Sequence, residues 1–141
     1  EKYIIKKLSK TNINYCIGRI FSIIDNKDKN FLVPSLIKKI NNSKKKKIKL
    51  ESLNHYRDFL DTKQISEIIN LLFKKKYKGI INIASGKQTF LKDLAIFIAK
   101  IKKKEIIFYD SKKTTKVIAN IDKLKKIKWK PRKLNFFKRL N

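Results

Sequence analysis

The chain has 141 residues, a size typical of one domain, and it carries a formal net charge of +27. Its 42% hydrophobic residues can build a buried core, which argues against intrinsic disorder, and no apolar run approaches the roughly 20 residues of a transmembrane helix. The single cysteine, Cys16, excludes a disulfide framework, a cysteine-based zinc site and a thiol redox pair, and it fits a reducing cytoplasm.

The net charge by itself would favour partners that carry phosphate, such as nucleic acid or an anionic membrane. However, the chain has 34 lysines against four arginines, and the lysines are spread along its whole length. Nucleic-acid sites usually use arginine for bidentate contacts and place aromatic residues among the basic ones. We therefore interpret most of the lysines as solvated surface residues, with a nucleic-acid-binding face as the less favoured alternative.

Helix and strand patterns alternate along the chain, which indicates the α/β class. The first helix has no capping signal, as if it continued an upstream helix, and it places Ile4, Ile5 and Leu8 on one face. Pro34 is tolerated in the second helix because it falls in the first turn. The first half predicts, in order, a helix over residues 1–8, a buried strand over 14–24, a polar loop over 25–30, a helix over 32–40, a basic turn over 44–47, and strands over 48–50 and 56–59.

The second half of the chain continues the alternation. Asp61 and Gln64 have the spacing of a capping box ahead of a helix. A tight turn at Ser85 and Gly86 follows a compact buried strand, and Thr89 with Asp93 is expected to open the next helix. The predicted elements are, in order, a helix over residues 62–73, a strand over 79–84, a helix beginning near residue 89, a strand over 106–109 and a helix over 121–126, after which Trp129 packs the last segment onto the domain.

Five short motifs occur along the chain in a characteristic order. They are Gly18-Arg19-Ile20-Phe21-Ser22, Leu32-Val33-Pro34, Arg57-Asp58-Phe59-Leu60, Asn82-Ile83-Ala84-Ser85-Gly86-Lys87, and Ile121-Asp122-Lys123-Leu124 followed by Trp129-Lys130-Pro131. In order and spacing they resemble motifs of the extended short-chain dehydrogenase/reductases that act as NAD-dependent nucleotide-sugar epimerases, dehydratases and reductases. Each motif alone is weak, and the resemblance depends on all five together.

The resemblance implies the C-terminal part of a Rossmann-type, doubly wound sheet together with the small substrate-binding α/β subdomain. We expect the strands around residues 14–21 and 79–84 in the mainly parallel sheet, and the short strands over 48–50 and 56–59 in one smaller layer on the substrate side. Residues 1–141 would be the substrate-binding portion. The cofactor-binding portion, with its glycine-rich loop and its catalytic Tyr-x-x-x-Lys pair, would precede Glu1. In the family, hydride moves between NAD or NADP and a ring carbon of a nucleotide-diphosphate sugar. The family often dimerises through helices that include the one matching the start of this chain, so the resemblance allows a homodimer.

The resemblance also implies binding residues, but no catalytic residue and no metal ligand. Arg57 is expected to contact the substrate diphosphate, because its planar, permanently charged fork suits two phosphate oxygens; the alternative is a structural ion pair with Asp58 or Asp61. Phe21 is expected either in the core or beside the nicotinamide. Ser22 replaces the family's Asn and can still donate a hydroxyl. The residues expected to cover the base and ribose are Leu32, Val33, Ile48 and Leu50.

The remaining reactive side chains are interpreted as structural. His55, the only histidine, is expected in a surface loop because no nucleophile pattern surrounds it. Cys16 is expected in the core, and Arg19 is expected to anchor a neighbouring loop or carboxylate. Glu67 and Asp93 have no partner at a spacing suited to acid/base chemistry.

Two other function classes stay open beside the enzyme. A basic nucleic-acid-binding module predicts salt-sensitive affinity for DNA or RNA without any preference for nucleotide sugars. A non-catalytic scaffold would keep the surface of the fold without turnover.

Overall fold

A computed structural model describes residues 1–25, 31–109 and 113–134 of the chain, so positions 26–30 of the predicted polar loop lie outside the described residues. Helices and strands alternate, which confirms the α/β class. The helices are α1 (Lys2–Leu8), α2 (Leu32–Asn42), α3 (Thr62–Lys74), α4 (Leu91–Ile101) and α5 (Asp122–Lys126). The strands are β1 (Cys16–Ile20), β2 (Ser22–Ile24), β3 (Lys47–Glu51), β4 (His55–Arg57), β5 (Phe59–Asp61), β6 (Gly79–Ile83), β7 (Thr89–Phe90), β8 (Glu105–Tyr109) and β9 (Thr115–Val117).

Most strand pairs are parallel, as expected when helices connect the strands. The pairs β1–β6, β2–β5 and β3–β8 are parallel, and β4 lies between β7, to which it is antiparallel, and β9, to which it is parallel. The expected parallel pairing of the strands near residues 14–21 and 79–84 is therefore confirmed. The strands near 48–50 and 56–59, expected in one smaller layer, instead belong to two different sheets.

The prediction of one continuous strand over residues 14–24 is wrong, because the chain changes partners at Phe21. The N–H of Phe21 donates to a carbonyl of β6 at 3.2 Å, whereas the N–H of Ser22 donates to the carbonyl of Asp58 at 3.0 Å. The chain thus leaves β6 and joins β5 within two residues. The strand predicted over 56–59 divides in the same way, at Asp58, into β4 and β5.

The expectation that Thr89 opens a helix is also wrong. Thr89 and Phe90 form β7, opposite Arg57 and Tyr56. Helix α4 begins one residue later, without a side-chain hydrogen bond at its N-cap. Asp93 does lie in its first turn, where a carboxylate interacts favourably with the helix dipole.

The buried apolar side chains form two clusters on either side of the β2–β5 pair. Phe59 belongs to the first cluster and the next residue, Leu60, to the second, because side chains of a strand alternate between its two faces. Helices α2 and α4 pack in the first cluster, and helices α3 and α5 pack in the second. Trp129 is buried in the second cluster, which confirms that it packs the last segment onto the domain.

Side chains satisfy backbone groups at the ends of two helices. The Asp61 carboxylate accepts the Gln64 N–H at 2.7 Å, which confirms the predicted cap of α3. At the C-terminal end of α2, the Lys104 ammonium donates to the carbonyl of Ile40 at 2.7 Å and to those of Asn41 and Ser43. The lysine therefore supplies charge-assisted hydrogen bonds to carbonyls that the helix itself leaves unpaired.

Replacing Lys104 with methionine is expected to lower the free energy of unfolding by about 1–2 kcal/mol, because the last carbonyls of α2 lose their cationic donor. Urea denaturation followed by circular dichroism measures this change. Lys78→Met, at an exposed position, removes the same charge and is expected to stay within about 0.5 kcal/mol of the unmodified protein. Equal effects of the two substitutions would contradict the capping role.

Over the residues that the structure describes, no helix is long and apolar enough to cross a membrane.

Candidate functional site

The polar residues of interest lie on one face of the three-stranded sheet. Strand β4 projects His55 and Arg57 to the same side, because alternate side chains share a face. Thr115 of β9 is the register partner of His55, and Thr89 of β7 is the register partner of Arg57. We call this set, namely His55, Arg57, Thr89 and Thr115, the Arg57 face.

The opposite side of the same sheet is aromatic. The rings of Tyr56 and Phe90 stack with their centroids 4.6 Å apart, and the Lys116 ammonium lies 4.9 Å from the centroid of Tyr56. Stacking across strands and the cation–π contact favour the observed register. The aromatic side therefore helps to fix the polar side chains of the Arg57 face.

The Arg57 guanidinium is held by one of its two terminal nitrogens. Its Nη1 donates to the carbonyl of Tyr56 at 2.9 Å and to Oγ1 of Thr115 at 3.2 Å. Within the described ranges, Nε and Nη2 of Arg57 make no hydrogen bond. These two nitrogens form one edge of the guanidinium fork, the edge that can bind two oxygens of a phosphate or carboxylate at once.

His55 is part of this arrangement, so its expected place in a surface loop is wrong. It lies in β4 and is half-buried. Its Nδ1 accepts the Thr115 N–H at 3.3 Å and lies 3.0 Å from the Thr115 hydroxyl oxygen. The same Thr115 hydroxyl oxygen accepts from Nη1 of Arg57. A short hydrogen-bond chain therefore connects His55, Thr115 and Arg57.

Asp58 is fully buried and is engaged by donors other than Arg57. Its Oδ1 accepts the N–H and the hydroxyl of Ser85 at 2.8 and 2.6 Å. Its Oδ2 accepts the N–H of Gly86 at 2.8 Å and that of Ala119 at 3.2 Å. The carboxylate thus ties three segments together, and the alternative of an Arg57–Asp58 ion pair is wrong.

Gly86 is required at its position in this turn. Its φ of +70° lies in the region that side-chain-bearing residues rarely adopt. A Cβ added there would lie 2.9 Å from the side chain of Ile121. The glycine therefore allows the turn to present its N–H to Asp58.

The ends of β1, β4 and β6 converge at Asp58. Phe21 and Ser22 follow β1, and Ser85 follows β6 closely; the carbonyl of Asp58 accepts the Ser22 N–H. Phe21 is half-buried against the second cluster, and Ser22 is half-buried. The backbone of Ser22 is thus hydrogen-bonded to the residue after Arg57, close to the carboxyl end of β1. The carboxyl ends of strands are where open α/β sheets bind ligands, and a shared site for Phe21, Ser22 and Arg57 stays a prediction.

The four residues expected to cover a base and ribose belong to the first cluster or its edge. Val33, Ile48 and Leu50 are buried there, and Leu32 is 37% exposed at the start of α2. The buried side chains contact the core, so any contact of these three with a ligand would come from their backbone. Their role in binding stays a prediction.

Two further expectations concern β1. Arg19 binds Glu1 through two hydrogen bonds, of 3.1 and 2.6 Å, which confirms that it anchors a carboxylate. The same hydrogen bonding raises the pKa of Arg19 and lowers that of Glu1. Cys16, expected in the core, is exposed, so that expectation is wrong. Partial desolvation raises the pKa of its thiol.

A Tyr-x-x-x-Lys spacing does occur within the chain, at Tyr3 and Lys7 and at Tyr109 and Lys113. With 34 lysines in 141 residues and five tyrosines, about one such spacing is expected by chance. Tyr3 lies on α1, which has no buried residue, and Tyr109 lies on β8, so neither belongs to the Arg57 face. The spacing therefore identifies no catalytic pair. The described residues also contain no cluster of three or more side chains suited to a metal ion.

Sequence reasoning missed the roles of Asp58 and Thr115. A signal for Asp58 is present, since it is a lone carboxylate directly before the apolar pair Phe59-Leu60, and buried polar groups need hydrogen-bond partners. Thr115 has no comparable signal, because β9 is short and rich in lysine and threonine.

No family model and no curated protein matches the sequence. Solved structures do match. RMD from Pseudomonas aeruginosa, complexed with NADPH, has a TM-score of 0.78 and 16% identity, over 99% of this chain and 50% of that chain. The dTDP-glucose 4,6-dehydratase from Bacillus anthracis, in complex with NAD, has a TM-score of 0.79 and 17% identity, over 99% of this chain and 46% of that chain. The UDP-N-acetylglucosamine 4-epimerase from Methanobrevibacter ruminantium, in complex with UDP-N-acetylmuramic acid, has a TM-score of 0.76 and 24% identity, over 99% of this chain and 48% of that chain.

The chain thus spans about half the length of these structures. At such identities the likeness shows the fold, and the chain has the fold of half of a Rossmann-type epimerase or dehydratase.

Proposed function

We propose that this chain is the C-terminal, substrate-binding half of an NAD(P)-dependent nucleotide-sugar epimerase, dehydratase or reductase, and that its Arg57 face binds the diphosphate of the substrate. The observation that carries the proposal is the guanidinium of Arg57. Its Nη1 is anchored to protein oxygens, while the Nε/Nη2 edge has no partner within the described ranges. An anchored fork with one free edge is the arrangement that binds two phosphate oxygens.

The surroundings of Arg57 support an anionic ligand. The nearest carboxylate in sequence, Asp58, is buried and occupied by four donors, so it does not compete for the guanidinium. The hydrogen bonds of Thr115 restrict the arginine before any ligand arrives. Because less side-chain freedom is lost on binding, such preorganisation increases affinity.

The residues of this chain offer little to a nicotinamide cofactor. The three glycines, at positions 18, 79 and 86, are too far apart to form a glycine-rich dinucleotide loop. We expect Phe21, half-buried at the end of β1, to be the residue of this chain that packs against a nicotinamide ring. NAD or NADP, when bound, would supply the hydride acceptor or donor, and most of its contacts would come from the other half of the fold.

Calorimetric titration of the chain with UDP-glucose, dTDP-glucose and a single-stranded oligonucleotide tests this proposal. We expect saturable binding of a nucleotide-diphosphate sugar with one site per chain, and little response to glucose alone. Raising the salt concentration should weaken oligonucleotide binding far more steeply than nucleotide-sugar binding, because oligonucleotide binding releases many counterions. Affinity for the oligonucleotide alone would instead favour the nucleic-acid-binding alternative.

The 141-residue chain alone is expected to give no oxidation or reduction of nicotinamide, since the resemblance places both the cofactor loop and the proton-transferring tyrosine before Glu1. The measurement is the nicotinamide absorbance in the presence of UDP-glucose or dTDP-glucose with NAD and, separately, with NADP. Turnover by the purified chain would contradict this prediction.

A further inference from the structure

The direction of the Arg57 side chain is set by a residue that does not lie opposite it. In the pairing of β4 with β9, the partner of Arg57 is Val117, which has no side-chain hydrogen-bonding group. Nη1 of the arginine instead reaches Thr115, two residues back along β9, which is about 6–7 Å along the strand. The other acceptor of Nη1 is a backbone carbonyl, so within the described ranges Thr115 is the only side chain that hydrogen-bonds this guanidinium. Which edge of the fork stays free therefore depends on Thr115.

The hydroxyl of Thr115 is held in turn by His55. A threonine side chain has several staggered positions for its hydroxyl, and contacts with neighbouring groups select one of them. Here Oγ1 lies 3.0 Å from Nδ1 of His55, which also accepts the Thr115 N–H at 3.3 Å. Because a hydroxyl oxygen has two acceptor positions besides its proton, Oγ1 can contact the imidazole and still accept from Arg57. The imidazole thus selects the hydroxyl position that the guanidinium uses.

The contact between His55 and Thr115 is not needed to hold the two strands together. Strands β4 and β9 are paired over three residues each. The same end of the pair has a second polar link, because the Asn54 amide donates to the Thr114 hydroxyl at 2.7 Å. That link does not involve Arg57. The two threonines therefore separate two roles, since Thr114 ties the strands whereas Thr115 connects β9 to the guanidinium.

We propose that His55 is a positioning residue for the diphosphate site: it fixes the Thr115 hydroxyl, which anchors Nη1 of Arg57 and keeps the Nε/Nη2 edge turned toward the ligand. The nature of the ligand rests on the proposed function. His55 itself makes no contact with the diphosphate in this arrangement. Its contribution is to restrict the arginine before binding, because immobilising a side chain with many rotamers costs entropy when the ligand binds.

The mobility of the Arg57 guanidinium in the ligand-free chain tests the positioning step directly. Proton–nitrogen NMR relaxation of the Nε–H group reports that mobility, and the Arg57 signal is the one that is absent from Arg57→Lys. We expect an order parameter of about 0.8 in the unmodified chain and of less than about 0.6, the range of flexible groups, in His55→Leu and Thr115→Val. His55→Asn should keep the restricted value, because its amide places a polar atom near the position of Nδ1. The control Thr114→Val should keep it too, because it removes a hydroxyl that does not contact Arg57.

Calorimetric titration of the same variants with UDP-glucose tests the consequence for binding. We expect His55→Leu and Thr115→Val to lower the affinity by about 3- to 10-fold, and His55→Asn to restore it to within about twofold of the unmodified chain. In the Arg57→Ala background the same two substitutions should change the affinity by less than about twofold, because residues that act through one another are not additive.

Three results would overturn the proposal. An Arg57 signal that stays restricted in both His55→Leu and Thr115→Val would show that neither residue positions the guanidinium. Equal loosening in Thr114→Val would mean that strand pairing, and not the Thr115 hydroxyl, restrains it. A further loss of affinity when His55→Leu is added to Arg57→Ala would show that His55 contacts the ligand itself.

Two features of the design keep the test decisive. If circular dichroism shows that His55→Leu does not fold, His55→Phe replaces it, since phenylalanine keeps a ring of similar shape without the nitrogen. The relaxation measurement needs no ligand, so a restrained Arg57 without any binding of UDP-glucose would contradict the proposed function and leave the positioning role of His55 intact.

Discussion

Replacing Asp58 with alanine is expected to lower the free energy of unfolding by about 3–4 kcal/mol, because each buried donor that loses its acceptor costs about 1–3 kcal/mol. The substitution leaves the N–H groups of Ser85, Gly86 and Ala119 without their partner. A domain of this kind is usually stable by about 5–15 kcal/mol, so the loss would be a large part of the total. Urea denaturation, monitored by tryptophan fluorescence at Trp129, measures it.

Two comparison variants make this prediction decisive. Asp58→Asn keeps the shape and one oxygen but turns an N–H₂ group toward two of the four donors, so it should cost about 2–3 kcal/mol. Asp122→Ala removes an exposed carboxylate, which forms an exposed ion pair with Lys125, and should cost less than about 1 kcal/mol. If Asp58→Ala were as mild as Asp122→Ala, the carboxylate would not organise the site.

The elements that the sequence predicts well are those whose signals are local. The cap at Asp61 needs only the next three residues, and the apolar periodicity of α3 and α4 is determined within each helix. Strand β6, bounded by Gly79 and the turn after Ala84, is equally self-contained. Such features appear in the structure close to their predicted limits because no distant residue is needed to form them.

The predictions that fail depend on partners distant in sequence. The break at Phe21 arises because Ser22 bonds to Asp58, which is 36 residues further along the chain. Thr89 joins a strand because it meets Arg57, although its local pattern favours a helix start. His55 lies in a strand and not in the predicted loop, because it pairs with Thr115 of β9. No local pattern reports these pairings, since tertiary contacts override weak propensities.

The candidate site shows the same division. Arg57 could be singled out because arginine is rare in this lysine-rich chain and because its surrounding motif resembles a known one. Its anchoring by Thr115 could not be predicted, because it depends on the pairing of β4 with β9. The engagement of Asp58 by Ser85, Gly86 and Ala119 could not be predicted either, because these donors lie 27 to 61 residues further along the chain. Four of the five residues of β1 are exposed, although a buried strand was expected there. This could not be predicted for a related reason, because an apolar strand predicts burial but not which segment covers it.

Replacing Arg57 with alanine is expected to reduce the affinity for UDP-glucose or dTDP-glucose by about 10- to 100-fold, equivalent to about 1.5–3 kcal/mol for a lost charge-assisted contact. Arg57→Lys should restore only part of the affinity, because an ammonium cannot bind two oxygens with a planar edge. Calorimetric titration measures both variants. Nicotinamide binding, measured separately in the longer enzyme that contains both halves of the fold, should be nearly unchanged, because the diphosphate contact is remote from the cofactor.

The matched control for this prediction is Arg132→Ala, since it removes the same charge from a position where the guanidinium already binds Glu67 at 2.7 Å. Its affinity for nucleotide sugars should stay within about twofold of the unmodified protein, because an exposed arginine in a surface ion pair contributes little to a distant anion in salt. A similar loss in both arginine variants would indicate that net charge, not the free edge of Arg57, attracts the ligand. Equal losses for cofactor and nucleotide sugar in Arg57→Ala would instead show that Arg57 merely holds β4 and β9 together.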